Sequence, residues 1–256
     1  IDALGDIASF YKKLGRYSDA ESLQKKALRL RREVLGETHP KTLTSLHNLA
    51  YLYNSLGRYA DAETLYLKVL SLRQNVLGEK HPNTLKTLGN LANLYDSQGR
   101  YSDAEPLLKK VLRRFQKSLG EKHPLTLTTM NDLASLFNSQ GRYSEAESLL
   151  EKAFSLSTKV RGAKHPSTLD SAHHLALFYH DIGRYSDAEL LYEKVLQISI
   201  EILGEKHPDT LTTADALAGL YTRQGSYADA EPLYKKTLRL KQDTLGEKHP
   251  STLTSL

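Results

Sequence analysis

Residues 43–84 read LTSLHNLAYLYNSLGRYADAETLYLKVLSLRQNVLGEKHPNT, and close copies of this segment begin at Leu85, Leu127, Leu169 and Leu211. Glycine and proline mark the period, because each recurs every 42 residues, from Gly15 to Gly225 and from Pro40 to Pro250. A fixed period of this length is typical of a solenoid, in which one supersecondary unit is stacked many times.

The period divides the whole chain of 256 residues into repeats. The repeats are residues 1–42, 43–84, 85–126, 127–168, 169–210 and 211–252, and residues 253–256 begin a truncated seventh. Because such repeats pack mainly on their neighbours, we expect residues 1–256 to form a single solenoid domain. The first repeat lacks the His-Pro-x-Thr entry, so we expect a segment of a larger protein with apolar surface at both ends.

Each repeat is predicted to form two antiparallel helices. In the second repeat, apolar residues recur at helical spacing over 43–56, which predicts helix A, and again over 59–77, which predicts helix B. Pro40 suits the first turn of helix A, and Gly57 suits a left-handed stop at its end. Ala50 on helix A and Ala62 on helix B have small counterparts in every repeat, which predicts a close helix crossing.

The start of helix B carries a Ser-x-x-Glu pattern in four repeats, as at Ser18 and Glu21. In a capping box, the serine and glutamate side chains satisfy free backbone N–H groups at the first turn of a helix. The pattern therefore predicts that helix B begins at this serine.

The motif L-A-x-L-Y-x-x-x-G-R-Y-x-D-A-E at residues 49–63 resembles the tetratricopeptide repeat. The 42-residue period and the L-G-E-K-H-P-x-T-L link resemble its kinesin-light-chain-like branch. The resemblance implies an all-α fold, a right-handed superhelical solenoid of antiparallel helical hairpins. It also implies a cytoplasmic, non-enzymatic scaffold that binds a protein or peptide ligand.

Composition argues against several other classes of protein. The 35 basic and 30 acidic residues are interleaved, so the net charge of +5 is explained by a solvated surface and does not predict a nucleic-acid partner. No apolar run is long enough to predict a membrane span. Cysteine is absent, and no nucleophile elbow or phosphate-binding glycine loop occurs, so we expect no catalytic residues and no cofactor.

Six of the ten histidines form a ladder, each directly before the proline that opens a helix A: His39, His81, His123, His165, His207 and His249. Successive members should lie roughly 10 Å apart, the spacing of packed helices, which is too far for a shared metal ion. We expect hydrogen bonds at the helix cap instead. His173 and His180 share a face of the fifth helix A, where a peptide-contact patch, a pH-sensitive patch and solvated surface all remain open, and no metal site is expected.

The family resemblance places helix A on the concave surface, where peptides are held. Matched position by position, the candidate peptide-binding residues are His47, Asn48, Tyr51, Asn54, Lys86, Asn90, Asn93, Asn131, Asn138, His173, Leu177 and His180. Asn48 and Asn90 match the family asparagine whose amide grips ligand backbone, a role that suits a group with both donor and acceptor. These positions differ between repeats, but a solvent-exposed surface with no binding role would also accumulate different residues in each repeat.

Two other functions remain open. The array could be a structural or regulatory arm of a nucleotide-binding signalling protein, packing on its parent chain or associating end to end through uncapped terminal repeats. Nucleic-acid binding is a third and less favoured hypothesis.

Overall fold

The structure is a computed structural model that describes residues 1–247 and 249–253, with Lys13 and Pro250 described by their backbone alone. These residues form thirteen α-helices and no β-strand. Helix A of successive repeats is α1 Asp2–Lys13, α3 Pro40–Ser55, α5 Pro82–Ser97, α7 Pro124–Ser139, α9 Pro166–Asp181, α11 Pro208–Gln224 and α13 Pro250–Leu253. Helix B is α2 Tyr17–Leu35, α4 Tyr59–Leu77, α6 Tyr101–Leu119, α8 Tyr143–Arg161, α10 Tyr185–Leu203 and α12 Tyr227–Leu245.

The helices gather into two compact units, residues 1–118 and 119–256. In the first unit α1 packs on α2 and α3 on α4, and the next contacts are between α2 and α3 and between α4 and α5. The second unit repeats this alternation from α7 to α12. The predicted hairpin architecture is therefore present in each unit. The single domain over 1–256 stays a prediction, and residues 254–256 of the seventh repeat lie outside the described residues.

The histidine ladder caps helix A, as predicted. The Nδ1 atom of each histidine accepts a hydrogen bond from the backbone N–H two residues later, at 3.1–3.2 Å, in all six repeats that carry it. His39 has extended backbone, and Pro40 follows as the first helical residue, which needs no hydrogen-bond partner for a backbone N–H. At the other end Gly57 has a φ of 70°, the left-handed stop expected from the sequence.

The predicted capping box of helix B is wrong. The helices begin one residue before the serine, at Tyr17, Tyr101, Tyr143 and Tyr185, so the serine already lies inside the first turn. No side chain caps α2, α8 or α10. The glutamate instead links neighbouring repeats, because Glu21 accepts hydrogen bonds from Arg58 and Tyr53 of the following repeat.

This contact between repeats is built from the G-R-Y-x-D-A-E motif. The Arg58 guanidinium lies 4.0 Å from the Tyr53 ring centre, 3.0 Å from Glu21 and 2.6 Å from Asp61. Two counterparts have the same four-residue pattern: Arg100 with Tyr95, Glu63 and Asp103, and Arg184 with Tyr179, Glu147 and Asp187. Each partly exposed ion pair stabilises the fold by about 0.2–1 kcal/mol. One such contact is therefore weak, and several of them together stabilise the packing of successive repeats.

Buried alanines occur on both helices of each hairpin. Ala50 and Ala92 on helix A and Ala62 and Ala104 on helix B have no exposed surface. A methyl side chain leaves little distance between two backbones, which permits the close packing that a protein interior requires. The prediction that these positions are packing positions is confirmed.

Apolar side chains are exposed on α1. Ile7 and Phe10 are open to solvent, and Leu253 of α13 is exposed as well. End-to-end association through such residues stays a prediction.

We expect the Ala92→Leu substitution to lower the stability of the first unit by about 1–3 kcal/mol, because three further carbon atoms must enter a site with no free space. The matched control is Ala60→Leu on the exposed side of α4, which should change stability by less than about 0.5 kcal/mol. Urea denaturation followed by circular dichroism measures both. Equal stability of the two variants would contradict the assigned crossing.

Candidate functional site

The exposed side of helix A in the first unit carries a small cavity of about 280 Å³ between α1, α2 and α3. Asn48 and Tyr51, both predicted site residues, line it together with Ser9, Lys12 and Gln24. The Lys12 ammonium lies 3.6 Å from the centre of the Tyr51 ring, a cation–π contact that fixes both groups. Tyr51 remains 48% exposed, so its ring and hydroxyl are available to a ligand.

His47 does not offer a contact to a ligand, because it is buried beneath this surface. Its Nε2 lies 3.1 Å from the Asn90 amide nitrogen, which donates, and its ring meets the edge of Tyr66 with 5.6 Å between ring centres. Burial, together with smaller contributions from the positive charges of Arg73 and Lys86, lowers the pKa of His47 to about 3. His47 is therefore a neutral packing residue that orients the Asn90 side chain.

The remaining candidates of the first unit are accessible. Lys86 is exposed, and Asn54, Asn90 and Asn93 are half-buried. Within the part of the chain that the structure describes, the side chains of Asn48, Asn54 and Asn93 make no hydrogen bond. Their amide groups are free to pair with a ligand.

The second unit places its candidates in more varied surroundings. Asn131 is buried, like His47 at the equivalent repeat position, and offers no ligand contact. Asn138 donates a hydrogen bond of 2.9 Å from Nδ2 to Asp181. Leu177 is exposed, and His180 is half-buried with its ring against Tyr185, 6.1 Å between ring centres.

His173 is half-buried and lines a second cavity, of about 140 Å³, between α9, α10 and α11. Its ring meets Tyr192 edge-on, 5.5 Å between ring centres. Burial lowers the pKa of His173, with a smaller contribution from His174, so the imidazole is neutral at pH 7. No group of three or more His, Asp or Glu side chains among residues 1–247 and 249–253 is placed to hold a metal ion.

Sequence reasoning missed the charged residues under this surface. Arg31, Arg73 and Lys241 are buried at one position of helix B, and Lys12 reaches the site from α1. A signal was available, since the three buried cations are separated by multiples of 42 residues. They interrupt an otherwise apolar stripe, which indicates a partner for each of them.

The comparisons with known proteins agree with this architecture. The family model for the tetratricopeptide repeat matches residues 1–69, 42–117, 97–159, 134–201 and 168–243. A search of curated proteins finds no match. None of the helices over residues 1–247 and 249–253 has the length and apolar character needed to span a membrane.

Solved structures with this fold include kinesin light chain relatives. The nearly identical TPR-like repeats of a kinesin light chain candidate from Podospora anserina are 31% identical, with a TM-score of 0.63 over 80% of this chain and 97% of that one. BtubC (BKLC) from P. vanneervenii is 22% identical, with a TM-score of 0.65 over 93% and 94%. A Rap protein complexed with Competence and Sporulation Factor is 12% identical, with a TM-score of 0.64 over 99% and 84%. The last two matches show the fold alone.

We expect the buried His47 to make the protein less stable in mild acid. Between the ordinary histidine pKa of 6.5 and about 3, the unfolded chain binds a proton that the folded chain does not, so stability falls as the pH falls. At pH 5 this costs about 1–2 kcal/mol relative to pH 7. His47→Asn, which copies Asn131 of the fourth repeat, should remove that part of the pH dependence in urea denaturation. A pH dependence unchanged by the substitution would contradict the neutral, buried state.

Proposed function

Because the chain belongs to the tetratricopeptide-repeat family, whose arrays generally serve as non-catalytic protein–protein interaction scaffolds, we propose that its helix A surface binds an extended peptide segment of a partner protein. In the first unit the contact surface comprises Asn48, Tyr51, Asn54, Lys86, Asn90 and Asn93. In the second unit it comprises Asn138, His173, Leu177 and His180.

The observation that carries this proposal is a set of unpaired amides on helix A, one of which, Asn48, lies beside the anchored ring of Tyr51. Asn48 lies beside Tyr51 at the cavity on α1, α2 and α3, and Asn54 and Asn93 lie on the same face of their helices. An extended peptide has free backbone N–H and C=O groups, and an asparagine amide can pair with both. Tyr51, held by Lys12, adds a large contact area that loses little entropy on binding.

The Asn90 side chain is positioned differently from the other amides. Its nitrogen is occupied by His47, which leaves the amide oxygen as an acceptor for a peptide N–H. This pairing also fixes the orientation of the amide, which reduces the entropy lost on binding. His47 thus supports the surface from below without touching the ligand.

The related structures support the proposal only at the level of the fold. The Rap protein was solved with its Competence and Sporulation Factor, so a fold of this type can hold a bound factor. A cytoplasmic location stays a prediction. Self-association is a second candidate, favoured by the exposed Ile7 and Phe10 on α1.

A random-peptide display selection against the chain tests the proposal. We expect enriched peptides with a shared motif and at least about fivefold weaker binding to the double variant Asn48→Ala/Asn93→Ala, since each lost hydrogen bond costs about 0.5–1.5 kcal/mol. The control is Asn75→Ala, which removes an exposed amide from α4, on helix B. Equal binding to the two variants, or no enriched motif, would contradict the proposed surface.

A further inference from the structure

One position of helix B carries a buried cation in three of the six repeats. The residues at this position are Arg31, Arg73, Phe115, Ser157, Ser199 and Lys241. Arg31, Arg73 and Lys241 are each buried. Arg31 and Lys241 pair with polar groups of their own and the following helix A, and Arg73 pairs with groups of the following helix A. In these three repeats, the polar groups of helix A therefore bind a cationic side chain that the chain itself supplies from helix B.

The two buried arginines share one partner position, a hydroxyl on the following helix A. Arg31 donates 2.7 Å to Asp2 and also reaches the hydroxyl of Ser45. Arg73 donates 2.6 Å to the hydroxyl of Thr87 and 2.9 Å to the backbone oxygen of Asn83.

Lys241 in the sixth repeat is bound in a related way. Its ammonium contacts Asp215 and donates 3.0 Å to the backbone oxygen of Ser251, which is the position of Asn83. All three cations therefore lie in one polar layer between successive helices A.

The fifth repeat keeps this polar layer and lacks the cation. Asp170 is the counterpart of Asp2, and Thr213 is the counterpart of Ser45 and Thr87. Asp209 is the counterpart of Asn83, which adds a second carboxylate. The cation position itself is Ser199, and the 140 Å³ cavity lined by His173 lies where the longer side chain is missing.

Ser199 forms part of the cavity wall. It is 2% exposed, and its hydroxyl makes no hydrogen bond among the described residues. Because it lines the cavity and pairs with no described residue, the hydroxyl can accept a hydrogen bond from an incoming donor. The neighbouring Leu169 and Val195 give the inner part of the cavity an apolar wall suited to an aliphatic stem.

The mouth of the cavity is open and acidic. The side chains of Asp170 and Asp209 are 62% and 81% exposed, and both also line the cavity. His174 lies 3.8 Å from Asp170, and His207 lies 3.7 Å from Asp209, so neither carboxylate is held by an arginine or lysine in a described ion pair. A cation from solvent can therefore reach both carboxylates.

We propose that this cavity, lined by Asp170, His173, Ser199, Asp209 and Thr213, binds the guanidinium group of an arginine side chain supplied by a partner. Arginine fits better than lysine because, from the register position of Ser199, Arg31 binds the carboxylate at the Asp2 position, whereas Lys241 binds Asp215 instead. Lys41 also contacts Asp2, but from the exposed position that Asp209 occupies in the fifth repeat. The planar guanidinium has five donors, enough for two carboxylates and a hydroxyl at once.

The inference rests on the proposed function only for the source of the arginine, a peptide lying across α9. His173, one of the predicted contact residues, borders the cavity, so the arginine would enter from the proposed contact surface. The fourth repeat offers an internal contrast. There Ser157 pairs with Ser171 at 3.3 Å, and Thr128 stands in place of the carboxylate of Asp170.

Binding of N-acetylarginine amide to the whole chain tests the proposal, with N-acetylcitrulline amide as a neutral probe of similar shape. Two-dimensional NMR follows the backbone amides of residues 169–173 and 209–213. We expect saturable shifts with the arginine probe below about 20 mM, enough to fill a site with a Kd of ~1 mM. The citrulline probe should bind at least about tenfold more weakly.

Substitutions identify the site. Asp170→Asn and Asp209→Asn should each weaken the arginine probe at least about fivefold, and Ser199→Arg, which copies Arg73, should abolish its binding. Asp243→Asn, at an exposed position of α12, is the matched control and should leave binding unchanged. Absence of saturable shifts in the wild-type chain, or equal binding of both probes, would overturn the proposal.

A second measurement does not depend on the affinity of the probe. Ser199→Arg should raise the melting temperature relative to Ser199→Met, and Asp170→Asn should remove that difference. An equal melting temperature of the two Ser199 variants would also count against a guanidinium site. Because these probes and variants do not involve Asn48 or Asn93, failure of the peptide selection and failure of the arginine site are separate results.

Discussion

The close approach of helix A and helix B at buried alanines is the constraint on which the rest of the molecule depends. Ala50 and Ala62 fix the distance between two backbones, and their counterparts fix it again in each described hairpin. With that distance set, side chains elsewhere in the interior can differ between repeats without moving the helices. Tyr66, Leu108 and Leu150 occupy one position of helix B, and all three are buried.

Much of this architecture could be predicted from the sequence, because its causes are local. The histidine before helix A accepts from a backbone N–H two residues later, and the proline that opens the helix needs no partner for an N–H, so both roles follow from adjacent residues. The capping box failed for the opposite reason. Glu21 pairs with Arg58, 37 residues further on, and a partner in the next repeat outcompeted the backbone N–H groups nearby.

The candidate site was less predictable for a related reason. Positions on one helix face were assigned by their spacing, yet His47 and Asn131 are both buried. Spacing alone does not show which residues at the border of a helix face are buried, because that depends on the size of the side chains packed beside them. Arg73 and Ser199 share one register position, and only the packed structure shows that one fills a space that the other leaves empty.

The pairing of Glu21 with Arg58 and Tyr53 has a consequence for how such a gene can change its length. Glu21, Glu63 and Glu147 each pair with an arginine of the following repeat, so each contact needs residues of two neighbouring repeats. Unequal recombination that adds or removes 42 codons, or a multiple, keeps the separation of 37 residues between these glutamates and arginines. A duplication of any other length would break the pairing at its junction, so the array can grow or shrink only in whole steps.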